Sequence, residues 1–228
     1  YFIALCNIPL PQLKSFPAEK FADLRAIYKN FCLENAERVK AIESVTNHDV
    51  KSVEYFLKER FAALDIDAFQ EFIHFGLTSQ DINNTAIPLS LKDAWHQILL
   101  PAVEGLISTL TVLASDWKHV VMLARTHGQP ASPTSMGKEI YVFVNRLSEQ
   151  LALLQHIPFA GKFGGATGNF NAHYAAYPEI DWMAFADQFV SRQLGLKRSA
   201  VTTQIDHYDH LAALFDTLKR INTILIDY

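Results

Sequence analysis

Apolar residues recur every three or four positions along most of this 228-residue chain, a spacing that predicts helices. Pro17-Ala18-Glu19 opens the first pattern, with proline and an acid in the opening turn. Phe21, Leu24, Ile27, Tyr28, Phe31, Ala36, Val39 and Ile42 then fall on one stripe. Thr46-Asn47-His48-Asp49 offers cap residues for a second helix, whose stripe is Val50, Val53, Phe56, Leu57 and Phe61. A short third helix is expected from about Ile66 to Phe75. Gly76 ends it, and Thr78-Ser79-Gln80-Asp81 starts the next. From Asp81 to about Lys118 the period stays helical, with Pro88 and Pro101 expected to bend the helix rather than end it. Pro133-Thr134 reads as the opening of another long helix, reaching about His156. Gly161 to Gly168 forms a glycine-rich crossover. A shorter helix is expected over Asp181 to Leu194, and a last one from about Asp206 that is still periodic at Tyr228. No alternating strand pattern or internal repeat stands out. The chain therefore reads as all-α, with a small helical domain over residues 1–80 and an incomplete long-helix bundle over residues 81–228.

Composition narrows the function classes. Half of the chain is hydrophobic and 19% is charged, which suits a packed core. A net charge of −4 without a basic block argues against a nucleic-acid partner. Cys6 and Cys32 are too few for a disulfide framework or a zinc site, and they suit a reducing, cytoplasmic setting. No uninterrupted apolar run reaches the roughly 18 residues of a membrane span, so no membrane partner is expected. Tyr1 to Cys6 is apolar but lacks a basic lead, and reads as the end of a helix rather than a signal peptide.

The chemistry gathers in four short motifs. Arg125-Thr126-His127-Gly128-Gln129-Pro130 places a histidine in a turn between two long helical patterns. Thr126 and Gln129 bring hydrogen-bonding groups, Gly128 allows close backbone approach, and Pro130 stiffens the exit. An imidazole held there is a candidate general acid, while the plainer alternative is a capping histidine. Asn47, His48 and Asp49 sit at an expected helix N-terminus, where free N–H groups attract a phosphate or carboxylate, or merely receive a cap. Thr78 and Ser79 precede a long helix and suit both an N-cap box and an anionic substrate. Gln204 follows two threonines and is uninformative alone.

Other patterns lead elsewhere. His48-Asp49 also occurs in helical metal phosphohydrolases, but the further ligands cannot be assigned. Glu71-Phe72-Ile73-His74 matches the Glu-x-x-His spacing of di-iron bundles, yet only one copy is present. The loop around Gly164-Gly165 lacks the Gly-Lys-Ser/Thr ending of a P-loop and is not set between a strand and a helix. It reads as a shaped wall or a tight crossover. No metal is expected.

Taken together, residues 47–51 (Asn-His-Asp-Val-Lys), 78–84 (Thr-Ser-Gln-Asp-Ile-Asn-Asn), 125–130 and 202–205 (Thr-Thr-Gln-Ile) resemble the bacterial branch of the adenylosuccinate lyase family, in the fumarase/aspartase superfamily. The likeness continues through Val53–Glu59, Gly168–His173 and Ile221–Asp227, so it covers almost the whole chain in order. The resemblance implies a β-elimination that splits adenylosuccinate into AMP and fumarate. The succinyl-aminoimidazole carboxamide ribotide of purine biosynthesis is split likewise. It implies His127 as the acid, with Asn47, His48, Asp49, Thr78, Ser79 and Gln204 as substrate contacts. It also implies no cofactor, and a homotetramer with shared sites. Gln80 stands where a glutamate is common, and Asp206-His207-Tyr208-Asp209 departs from the usual Glu-Pro-His-Asp. The family's base is a serine in a mobile loop that does not occur in this sequence, so the chain alone is expected to be inactive. The rival readings are another lyase of the superfamily, such as argininosuccinate lyase or fumarase, and a helical scaffold without chemistry.

Overall fold

The first long helical pattern divides in two. In the computed structural model, which describes residues 1–228, α1 (Phe2–Cys6) is followed by α2 (Phe21–Lys29) and α3 (Leu33–Thr46). Asn30 ends α2, and Asn35 Oδ1 accepts from the Cys32 backbone N–H at 3.3 Å to start α3 afresh. A local cap here overrides a stripe that would otherwise continue. Next come α4 (Asp49–Ala63) and a 3-10 turn at Asp67–Phe72, where the short third helix is expected. Then α5 (Ser79–Ala94) and α6 (Leu100–Asp116) run on through a π turn at Trp95–Leu99. The helix is therefore continuous past Pro88 and Pro101. The wide turn lies just ahead of Pro101, which cannot donate a backbone hydrogen bond.

An 18-residue window of this continuous helix has a mean hydropathy of 1.8, and only 11% of the window is buried within the chain. By length and composition it could cross a membrane. Leu110 and Ala114 of the same stretch are nevertheless buried in a hydrophobic core, with Val103, Leu106 and Ile107 packed against it, as in the core helix of a folded domain.

The segment after α6 is not helical. β1 (Val121–Thr126) and β2 (Gln129–Ser135) pair antiparallel, with Thr126 opposite Gln129. His127 (φ 49°) and Gly128 (φ 76°) are both left-handed, the signature of a two-residue primed hairpin turn. Pro133-Thr134 thus lies in a strand and does not open a helix. α7 (Met136–Gln155) begins three residues later, where Ser135 Oγ accepts from the Lys138 N–H at 3.3 Å. Prolines are tolerated here because a two-stranded ribbon has edges on both sides. The ribbon is exposed on both faces, so it leaves no alternating pattern in the sequence. The remaining elements are β3 (Ala160–Lys162), α8 (Asn171–Ala176), α9 (Trp182–Asp187), a π turn over Gln188–Gln193, β4 (Lys197–Ser199) and α10 (Asp209–Asp227).

The chain packs as two compact units, one of residues 1–86 with 161–206, the other of residues 87–160 with 207–228. The division expected at residue 80 follows the chain, whereas the first unit also takes in the later segment 161–206. Its core is aromatic: Trp182, Phe163, Phe170, Phe185 and Phe189 are buried in one part, and Phe2, Phe16 and Phe61 in another. The second unit is aliphatic. Leu110 and Ala114 of α6, Val144, Leu147, Leu151 and Leu154 of α7, and Leu214, Ile221 and Ile224 of α10 form its core. Gly137 permits the α6–α7 approach, because a Cβ there would collide with the Ala114 carbonyl.

Candidate active site

Three of the four motif segments, those of Asn47, Thr78 and Gln204, lie in the first unit together with the glycine crossover. At the α3–α4 corner, Asn47 is left-handed (φ 51°), which turns the chain between two helices. His48 then caps α4 through its ring, with Nδ1 accepting from the Lys51 N–H at 3.1 Å. Nδ1 must therefore carry a lone pair, and the 3.2 Å approach of Asp49 Oδ1 to the same nitrogen is not a hydrogen-bonded ion pair. The neutral ring keeps its proton on Nε2, on an exposed side chain. Asp49 is exposed as well. The Val50 backbone N–H holds its carboxyl below the ordinary range, and the Asn83 side chain adds to this. Asn83 belongs to α5, so the corner and that helix are in contact.

The turn before α5 is wired more heavily. Thr78 Oγ1 accepts from Gln204 Nε2 at 3.2 Å, across 126 residues of sequence. Ser79 is the first residue of α5 and is partly exposed. Below them lies a fully buried ion pair, Lys162 Nζ to Asp81 Oδ1 at 2.7 Å. The Asp81 carboxylate also accepts from the backbone N–H groups of Thr78 (2.8 Å), Gly164 (2.9 Å) and Gly165 (3.1 Å). Lys162 donates in addition to the Gly165 carbonyl at 2.6 Å. A Cβ on Gly165 would lie 3.1 Å from the Gly76 carbonyl. The glycine crossover is thus the floor beneath the threonine turn. Asn84 Oδ1 accepts from the Asp206 N–H at 2.8 Å and pins the chain just after Gln204.

Residues beyond the motifs also belong to this cluster. His74 is half-buried, and burial lowers its pKa from 6.5, with Glu54 opposing and Lys51 reinforcing the shift. Glu54 is itself buried. Burial alone would raise its carboxyl, but the ammonium groups of Lys51 (2.8 Å) and Lys58 (3.3 Å) outweigh that and hold it below the ordinary value. Glu71 pairs with Lys58 at 3.0 Å. Gln80 Oε1 is buried without a hydrogen-bond partner. An amide there leaves an orphan acceptor but no buried charge.

His173 is the most deeply buried histidine, at 0% exposure. Burial lowers its pKa from 6.5 to about 4, with Asp81 opposing and Lys162 reinforcing. An unfolded chain takes up this proton near pH 6.5 and the folded chain only near pH 4. Stability on this account is therefore constant above 6.5 and falls as the pH drops through that window, by up to about 3 kcal/mol. Urea unfolding at neutral and acid pH is expected to show this loss in the native chain and a smaller one in His173→Phe.

His127 belongs to the other unit. It is exposed at the tip of the hairpin, with its ring facing solvent. Its motif is the one whose setting the sequence misread, as a helix junction rather than a strand turn.

The family model described as lyase matches residues 3–228. The chain belongs to this lyase family. Among curated relatives, adenylosuccinate lyase of Dictyostelium discoideum is 51% identical, aligned over all of this chain and 50% of its own length. Adenylosuccinate lyase of Escherichia coli is 46% identical over 96% of this chain and 48% of its own. The chain therefore spans about half the length of the curated relatives it matches. Two solved structures share the fold, a fumarate lyase from Mesorhizobium (TM-score 0.77) and a beta-carboxy-cis,cis-muconate cycloisomerase from Acinetobacter calcoaceticus (TM-score 0.71). Each is 21% identical and matches 98% of this chain and 50% of its own. The mainly helical architecture is thus that of the lyase family.

Proposed function

We propose that the protein to which this chain belongs is an adenylosuccinate lyase. The observation that carries this reading is the joining of Thr78 to Gln204 above the Asp81–Lys162 floor, beside the Asn47-His48-Asp49 corner. Those residues are the substrate contacts that the family resemblance selects. The identity with relatives of that name over essentially the whole chain supports the same assignment.

In this reading a base removes the proton from the carbon beside a carboxylate. The electron pair forms the carbon–carbon double bond of fumarate as the carbon–nitrogen bond breaks, and His127 donates a proton to the departing nitrogen of AMP. The intermediate carries extra charge on its carboxylate, which N–H and O–H donors on Thr78, Ser79, Gln204 and the 47–49 corner would stabilise. The succinyl-aminoimidazole carboxamide ribotide reacts by the same bond changes. The base is a serine supplied by a loop outside these residues. The reading includes a homotetramer, a cytoplasmic location, and neither metal nor organic cofactor. Val112, Tyr141, Leu153, Phe215 and Ile226 are apolar and exposed on α6, α7 and α10, which supports assembly of the long helices with other copies.

Fumarate release should be measured on the full-length protein with adenylosuccinate, argininosuccinate or malate as sole substrate. Turnover of adenylosuccinate alone is expected. Preference for either of the others would reassign the enzyme within the superfamily, and robust turnover by residues 1–228 alone would refute the division of acid and base.

A further inference from the structure

We infer that His173 is a positioning residue for the substrate turn: as a neutral imidazole protonated on Nε2 and lying flat beneath Gly76, it sets the height and tilt of the backbone that presents Thr78 and Ser79. The inference rests on the reading of those two hydroxyls as substrate contacts.

Two links join His173 to this turn. The first is a face contact. A Cβ built on Gly76 would lie 2.5 Å from Cε1, 2.6 Å from Nε2 and 2.7 Å from Nδ1 of the ring. Three nearly equal distances mean that Gly76 rests on the ring face, not its edge. Gly76 is left-handed (φ 68°), so this position suits glycine on both counts. The second link is a relay through Tyr1. Its hydroxyl donates to the Phe75 carbonyl at 2.6 Å and lies 3.1 Å from His173 Nε2. A hydroxyl has one proton and the carbonyl can only accept, so the ring must donate from Nε2. His173 thereby reaches Phe75 and Gly76, the two residues that lead into Leu77 and Thr78.

The other ring nitrogen explains why this is more than filling. Nδ1 is buried without a hydrogen-bond partner, and the rings of Phe75, Phe163, Phe170 and Trp182 surround the imidazole. An apolar side chain would avoid that cost, so what histidine adds is a flat face together with one donor. The titratable groups that face it are the Tyr1 hydroxyl from the start of α1, Asp81 from α5 and Lys162 from β3. Asp81 also receives the Thr78 N–H, so His173 and the ion pair hold the turn from adjacent points. Burial lowers the proton affinity of the ring, which keeps it neutral in the physiological range.

The test uses the full-length protein. With nitrogen-15-labelled histidine, the signal lost in His173→Gln is expected to report Nε2–H and a bare Nδ1 at neutral pH, unprotonated to below about pH 5. A proton on Nδ1, or a midpoint near 6.5, would overturn the proposal. In His173→Phe, KM for adenylosuccinate is expected to rise on the order of tenfold with kcat changed far less, and His173→Gln, which keeps a donor, should restore part of it. Amide exchange at residues 77–79 should quicken in His173→Phe with no substrate present. Lower thermal stability in both variants with unaltered KM and unaltered exchange would reduce His173 to a packing residue. If the native protein does not split adenylosuccinate, the function proposed above fails, while the exchange and nitrogen signals still decide the positioning role.

Discussion

Lys162→Met should lower the stability of the protein by about 3–5 kcal/mol, the range for removing one partner of a buried ion pair. The lysine and Asp81 are both fully buried, at 2.7 Å. Without the ammonium, the carboxylate keeps only three backbone N–H donors and no countercharge. Pairing the change with Asp81→Leu should not rescue it. In many proteins an apolar pair replaces a buried ion pair at little cost, but here the aspartate also satisfies Thr78, Gly164 and Gly165. Their N–H groups would be orphaned, at about 1–3 kcal/mol for each group left unsatisfied. Urea unfolding of the single and double variants reads both effects. A loss below about 1 kcal/mol in Lys162→Met would mean that water reaches the carboxylate and that the floor is not closed.

His127→Asn should reduce kcat for adenylosuccinate by about 10²–10⁴-fold in the full-length enzyme, the usual contribution of a general acid. Thermal stability should barely change. The ring is exposed, and asparagine tolerates the left-handed conformation that position 127 adopts at φ 49°. This separates chemistry from folding, which His127→Ala would not do as cleanly at a positive φ. An unchanged kcat would favour the helical scaffold reading. A large fall in melting temperature would show instead that the imidazole holds the hairpin. The pH dependence of kcat offers a second check, since its alkaline limb should move when the acid is removed.

Much of the helical architecture is legible from residue spacing. α7 and α10 each bury one stripe, and a stripe buried on one side prints a period of three to four, whereas α4 buries Ser52 and Glu54 beside Val50, Phe56 and Phe61, and α6 buries only Leu110 and Ala114. Boundaries were less legible where caps decide them. Nothing in the stripe from Phe21 to Ile42 announces that Asn35 restarts the helix at Leu33. The hairpin at residues 121–135 was invisible for the opposite reason: with both faces in solvent, no alternation was required. The motif residues Asn47, His48, Asp49, Thr78, Ser79 and Gln204 could be singled out. Lys162 and His173 could not, because their role lies in what they touch across more than 80 residues of chain.

Local chemistry along the chain was enough to specify most of the helices and the caps at His48 and before α5, because these depend on neighbours within a few positions. Folding alone decided that Thr78 meets Gln204, that a lysine from the glycine crossover neutralises Asp81, and that a histidine lies beneath Gly76. Such contacts form only when distant segments are desolvated together. In that dry interior a charge must find its partner or the fold is lost, and no spacing rule records which partner it will be.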